Sequence, residues 1–133
     1  MKSLLSPDEF VQRAVGIPWI RWRSDWAGAD CFGLIVLWHR EVLGIDLGEV
    51  PQTDIATGFA STEGWIECDA ETGATAWMAW EGGAPTHCGV VLPGAMLLHA
   101  EGNEGVAGSV RASRLAAVQR VYGALRFYRY SPC

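Results

Sequence analysis

Residues 31 to 38 read Cys-Phe-Gly-Leu-Ile-Val-Leu-Trp, with no charged side chain among them. Coiled as a helix, such a run has no wet face, so the rest of the chain must enclose it. Polar character appears only at His39, Arg40 and Glu41, and Gly44 follows Leu43 as the natural stop. The predicted element is a buried helix from Cys31 to Leu43. Asp30 precedes it as the N-cap, which puts the Cys31 sulfur in the first turn, near the positive end of the helix dipole. Gly33 lowers helix propensity in that turn and points to close approach by another backbone or a substrate.

A chain of 133 residues is read as one domain, 1–133, large enough for a proper core. Half its residues are hydrophobic and 19% are charged, which excludes disorder. A formal charge of −5, with basic residues in no run, argues against nucleic acid as the main partner. Arg111, Arg114, Arg120, Arg126 and Arg129 weight the C-terminal quarter and are read as a solvated face. Cys31, Cys68, Cys88 and Cys133 show no metal-site or disulfide spacing, so neither metal nor cofactor is expected. The start Met1-Lys2-Ser3-Leu4-Leu5 reaches a helix cap too soon for a signal peptide. No apolar stretch approaches the ~20 residues of a membrane span. Synthesis and folding in a cytoplasm are the expectation. Seven tryptophans point to an aromatic groove or a partner surface as well as core.

Ser6-Pro7-Asp8-Glu9 is a helix start with a cap, a first-turn proline and a capping box, and Leu5 with Phe10 forms a hydrophobic staple. Gly16 ends this helix. Residues 17 to 29 are irregular and aromatic. A loop with about one helical turn is expected from 46 to 64. Strands follow at 65–69, 75–80, 87–92, 95–100, more weakly at 105–111, and at 121–130, with a short helix at 112–119. Two helices ahead of a strand meander give an α+β domain on an antiparallel sheet.

A thiol becomes a nucleophile as its thiolate, which a helix N-terminus and a nearby imidazole stabilise. His87, in Thr86-His87-Cys88-Gly89-Val90-Val91, is the candidate base for Cys31, and His99, in Leu97-Leu98-His99-Ala100, the group that orients it. The two histidines share a sheet face only if their hairpin loop has an odd length. Three residues from Leu92 to Gly94, or five from Val91 to Ala95, would set them facing each other. His39 is read as surface or structural, and Cys88 as core. Trp19 and Trp22, just ahead of the nucleophile, fit a substrate wall or an oxyanion contact as well as core.

These segments resemble the NlpC/P60 family of papain-like cysteine peptidases. Asp30-Cys31-Phe32-Gly33-Leu34 is similar to that family's D-C-S-G-L motif, His87-Cys88-Gly89-Val90-Val91 to its H-V-G-I-Y strand, and Leu98-His99-Ala100 to its I-H-A strand. The resemblance implies a papain-like fold, with Cys31 as nucleophile, His87 as base, His99 as third member, and peptide bonds of cell-wall stems as substrate. Asp30, Trp19 and Trp22 are the associated candidates for oxyanion and substrate contacts. Trp19 stands where the family usually carries a tyrosine, Trp22-Arg23-Ser24 replaces its W-G-G, and Glu71-Thr72-Gly73 lies where P-G-D is common.

The compact length, the H-C-G and L-L-H-A wording and the ending Tyr122-Gly123…Tyr128-Arg129 further resemble the small peptidases of phage tails and gene transfer agents. That resemblance implies a place at a tail tip, docked on tail or hub proteins, opening murein locally in the target periplasm for DNA passage. Two other readings stand beside it: a tail-tip plug or assembly protein with little hydrolase activity, and a thiol hydrolase or acyltransferase on another amide or a lipid. Lipid-acting permuted relatives place histidine before cysteine, and here cysteine comes first.

Overall fold

The computed structural model describes residues 3–50, 64–70, 73–102 and 105–131. Helix α1 (Pro7–Ala14) begins as its residues dictate. Ser6 Oγ accepts the Glu9 N–H and the Glu9 carboxylate accepts the Ser6 N–H, which closes the capping box. Phe10 and Ala14 are fully buried, and Leu5 packs against the same core. Gly16, at a φ of 97°, turns the chain out of the helix. The irregular segment beyond it folds into a two-stranded hairpin, β1 (Ser24–Asp25) with β2 (Gly28–Ala29). Asp25 Oδ1 shapes its turn by accepting the N–H groups of Ala27 and Gly28. Trp26 lies against Phe10 and beneath the Arg13 guanidinium, 4.0 Å from the ring centroid.

Helix α2 (Cys31–Trp38) is enclosed as its composition requires: every residue from Phe32 to Trp38 is buried. Its continuation differs from the expected regular helix to Leu43. His39–Leu43 widens into a π-helical turn, which Gly44 closes in the left-handed conformation. His39 is wholly buried there, so the surface alternative fails and the structural one holds. Its Nδ1 donates to the Ile35 carbonyl at 2.8 Å, and its Nε2 meets Thr75 Oγ at 3.0 Å. Burial holds this imidazole below its ordinary pKa, so it stays neutral and ties the helix to the sheet.

The remaining strands are β3 (Trp65–Cys68), β4 (Ala76–Glu81), β5 (Ala84–Leu92), β6 (Met96–Ala100), β7 (Val110–Arg114) and β8 (Leu125–Tyr130), with α3 (Leu115–Tyr122) before the last. They form one antiparallel sheet in the order β3-β8-β4-β5-β6-β7. Alternation divides the strands between two cores. Met78, Cys88, Val90 and Leu98 face α1 and α2, while Trp77, Ala79 and Leu97 face α3 through Val118. The α+β class with helices packed on an antiparallel sheet is as expected.

Several boundaries shift, and β5 starts at Ala84 rather than 87 because Ala84 and Pro85 pair with Glu81 and Trp80 of β4. The strand expected at 105–111 lies at Val110–Arg114, because pairing with β6 carries it to Met96↔Arg114. The helix expected at 112–119 therefore starts at Leu115, where Leu115, Val118 and Tyr122 make its apolar face. The last strand starts at Leu125 rather than 121, since α3 consumes the first two positions. Most of the loop expected over 46–64, together with Cys133 and the Glu71-Thr72 pair, lies outside the described residues.

Candidate active site

The mouth of α2 is a set of short backbone contacts made possible by Gly33. Asp30 caps the helix: its Oδ1 accepts the Gly33 N–H at 2.7 Å and its Oδ2 accepts the Trp22 N–H, also at 2.7 Å. The Arg23 carbonyl, which accepts the Asp30 N–H at 3.2 Å, lies so near Gly33 that a Cβ there would stand 1.8 Å from it. The approach foreseen at Gly33 is thus that of a backbone. Trp22 is held at a φ of +61°, a conformation that costs a non-glycine residue about 1–3 kcal/mol, and Asp30 holds it there. With both carboxylate oxygens engaged, Asp30 acts as cap and clamp, and Trp22 is left 42% exposed. Trp19 is half-buried, its ring against Gly102. Its neighbours Pro18 and Ile20 both hydrogen-bond Ala29, two residues ahead of Cys31.

Asp30 is buried, and burial raises its carboxyl from the ordinary 3.8 to about 6, with the nearby Cys31 charge adding to the rise. The folded protein therefore binds this proton more tightly than the unfolded chain. Asp30 stabilises the fold below pH 3.8 and loses that contribution as pH rises through about 6. At about 1.4 kcal/mol per tenfold, the loss amounts to roughly 3 kcal/mol. Asp30→Asn keeps an acceptor for Gly33 but presents an amide to Trp22, an offset that does not vary with pH. Urea unfolding at pH 4 and pH 7 should show wild type losing ground to the variant by up to about 3 kcal/mol as pH rises. A constant difference between the two would refute the burial argument.

The histidines meet across the β5–β6 hairpin. Val90 pairs with Leu98, Val91 with Leu97 and Leu92 with Met96, around the loop Pro93-Gly94-Ala95. The loop is odd, as expected, so His87 and His99 share a face. It is displaced by one residue from the expected Leu92–Gly94, and this register sets His99 beyond Gly89 rather than opposite His87. The rings nonetheless meet, His87 Nε2 lying 3.0 Å from His99 Nδ1. The absence of a side chain at Gly89 leaves room for the Leu98 carbonyl and for the Trp77 indole that packs beside both rings. A Cβ there would stand 2.1 Å from the Leu98 carbonyl oxygen and 2.6 Å from the Trp77 indole nitrogen. Trp77 lies edge-on to both imidazoles, with centroids 5.5 and 5.7 Å away.

His99 is buried, and burial, then the charge of His87, lowers its pKa to about 4. It is neutral at ordinary pH and carries one ring proton. Its Nε2 lies 3.2 Å from Ser113 Oγ. With the proton on Nε2 and donated to Ser113, the Nδ1 lone pair is left to accept the Nε2–H of His87. Ser113, on β7, was hidden from sequence reasoning because that stretch reads as helix. The signal that could have exposed it is the cross-strand pair Leu97↔Ser113.

Cys31 packs against the core cluster that holds Cys88 of β5, and Cys88 and His87 are the side chains that act most on its thiol. The Cys88 contact, followed by the His87 bond and charge and the Phe32 N–H, holds the Cys31 thiol well below its ordinary range against the cost of burial. Burial and the Cys31 charge push the Cys88 thiol well up. Cys88 is a core residue, as expected, and it also acts on the Cys31 thiol, which strand alternation alone did not suggest. Cys88→Ala should cut the rate of Cys31 alkylation by iodoacetamide at pH 7 by roughly three- to tenfold. An unchanged rate in a folded variant would show that the thiol contact does nothing for the thiolate.

A thiol at a helix N-terminus, with an imidazole acting on it and a second imidazole behind the first, is an arrangement that can ionise sulfur for nucleophilic attack. No family model and no curated protein matches the chain. Among solved structures, it resembles the crystal structure of the NlpC/p60 domain of the peptidoglycan hydrolase SagA. The TM-score is 0.56 at 23% sequence identity, over 92% of this chain and 98% of that one. The fold is the papain-like α+β fold of NlpC/p60 domains.

Proposed function

We propose that this protein is a cysteine peptidase or amidase that hydrolyses amide bonds in the stem peptides of bacterial peptidoglycan. The observation that carries this reading is Cys31 at the first position of a buried helix, its thiol lowered in part by His87, whose Nε2 lies 3.0 Å from His99 Nδ1. Its likeness in fold to a domain of a peptidoglycan hydrolase supplies the substrate class. In the mechanism, His87 holds the Cys31 proton as the thiolate attacks the amide carbon. The imidazolium then protonates the departing amine, and water, activated by the same ring, releases the acyl group from sulfur. The Cys31 N–H, at the open end of the helix, and the Trp19 indole are the proposed donors to the tetrahedral oxyanion. The exposed ring of Trp22 forms a wall beside the substrate. None of these steps calls on a metal or cofactor.

The wording of its motifs supports the narrower reading of a tail-tip enzyme in a phage-like particle, made in the cytoplasm and delivered with the particle to the target cell wall. The test is digestion of purified peptidoglycan under reducing conditions, with mass spectrometry of the soluble fragments. The expected result is one class of stem-peptide cleavage, absent after the protein is blocked with iodoacetamide. Undigested peptidoglycan, with particles lacking the protein failing to assemble, would favour the tail-tip plug instead.

A further inference from the structure

Tyr122, the last residue of α3, packs face to face on His87, the proposed base. Its ring lies almost parallel to that of His87, with centroids 4.6 Å apart and planes at 25°. Its hydroxyl donates to Glu101 Oε2 at 3.0 Å. The other oxygen of that carboxylate lies 3.3 Å from Arg111 Nη1 and 3.8 Å from His99 Nε2. Together with Ser113, these side chains line a cleft of about 270 Å³ that is open to solvent.

We propose that Tyr122, steadied by Glu101, is a positioning residue for the base, fixing the plane of the His87 ring between Cys31 and His99 and lending its π face to the imidazolium. This rests on the Cys31–His87 chemistry above, though not on the identity of the substrate. The hydrogen bond to His99 and the edge of Trp77 hold the ring at two points, which leaves it free to rotate about that bond and carry the other nitrogen away from sulfur. A ring stacked face to face removes that freedom. It also favours the charged imidazole, because an aromatic face attracts a cation. Burial and the bond to Glu101 raise the tyrosine hydroxyl to about 12, so it remains a donor throughout the working range. Arg111 offsets the Glu101 charge, which leaves the carboxylate to anchor Tyr122 while His99 stays neutral.

The test reads Cys31 itself: alkylation by iodoacetamide against pH, followed by mass spectrometry of the peptide that contains Cys31. Tyr122→Phe keeps the stacked ring and should keep a profile close to wild type. Tyr122→Leu removes the ring and should move the alkylation profile upward by about one pH unit, with kcat falling while KM holds. A folded Tyr122→Leu with the wild-type profile would overturn the proposal. Should that variant not fold, NMR of the wild-type protein decides. The His87 ring protons are expected to be displaced upfield by the stacked phenol, and ordinary positions would equally overturn it. Because alkylation needs no substrate, a shifted profile in a protein that leaves peptidoglycan intact would separate the two readings, upholding this one and refuting the substrate assignment.

Discussion

Cys31→Ala is expected to abolish release of stem-peptide fragments from peptidoglycan, by about 10⁴-fold or more, while the chain stays folded. The size follows from the role. Without sulfur there is no acyl-enzyme, and His87 and His99 have no proton to move. Cys31 is partly exposed at the end of its helix, so truncating it costs little core. Cys31→Ser should lose nearly as much, because His87 cannot ionise a hydroxyl as it does a thiol. Fragment release and thermal unfolding measured side by side separate chemistry from folding. A Cys31→Ala protein that still yields the wild-type fragments would move the reaction to another part of the molecule.

Gly33→Ala should destabilise the fold strongly, by more than about 3 kcal/mol. The added methyl would stand 1.8 Å from the Arg23 carbonyl oxygen and 2.9 Å from Asp30 Oδ1. Both belong to the cap of α2, and a backbone carbonyl has no rotamer through which to escape. The segment carrying Trp22 and Arg23 must then lift off, breaking the Asp30 N–H bond to Arg23 and the clamp on Trp22. Gly82→Ala is the matched control. It sits at a φ of 60° in open space and should cost about 1–2 kcal/mol from backbone strain alone. Equal melting temperatures for the two variants would contradict the close approach at Gly33.

Much of this molecule is legible in its residues wherever the controlling forces are local. The capping box at Ser6 and Glu9, the cap at Asp30 and the stop at Gly44 each depend on side chains within a few positions. The buried helix follows from composition alone, and the odd hairpin loop follows from strand parity. What escaped is tertiary. Arg114 joins a strand because β6 pairs with it, overriding the apolar spacing that suggested a helix there. His39 looked as suited to the surface as to the interior until Thr75 and the aromatic rings around it closed over it. Ser113 and Glu101 carry no motif, and Tyr122 was noted only within the C-terminal wording; they reach the histidines only because β6, β7 and α3 meet on one face. Gly89 was the nearest visible clue, a glycine inside a strand that makes room for Trp77.

The buried helix has one more consequence. The reactive form of Cys31 needs its own helix end, a thiol from β5 and an imidazole from the same strand, and α2 reaches them only after burying every residue from Phe32 to Trp38. A partly folded chain therefore carries an ordinary, sluggish thiol. The lowered thiol is thus a property of the closed core rather than of the local sequence around Cys31, and it appears only as that core forms.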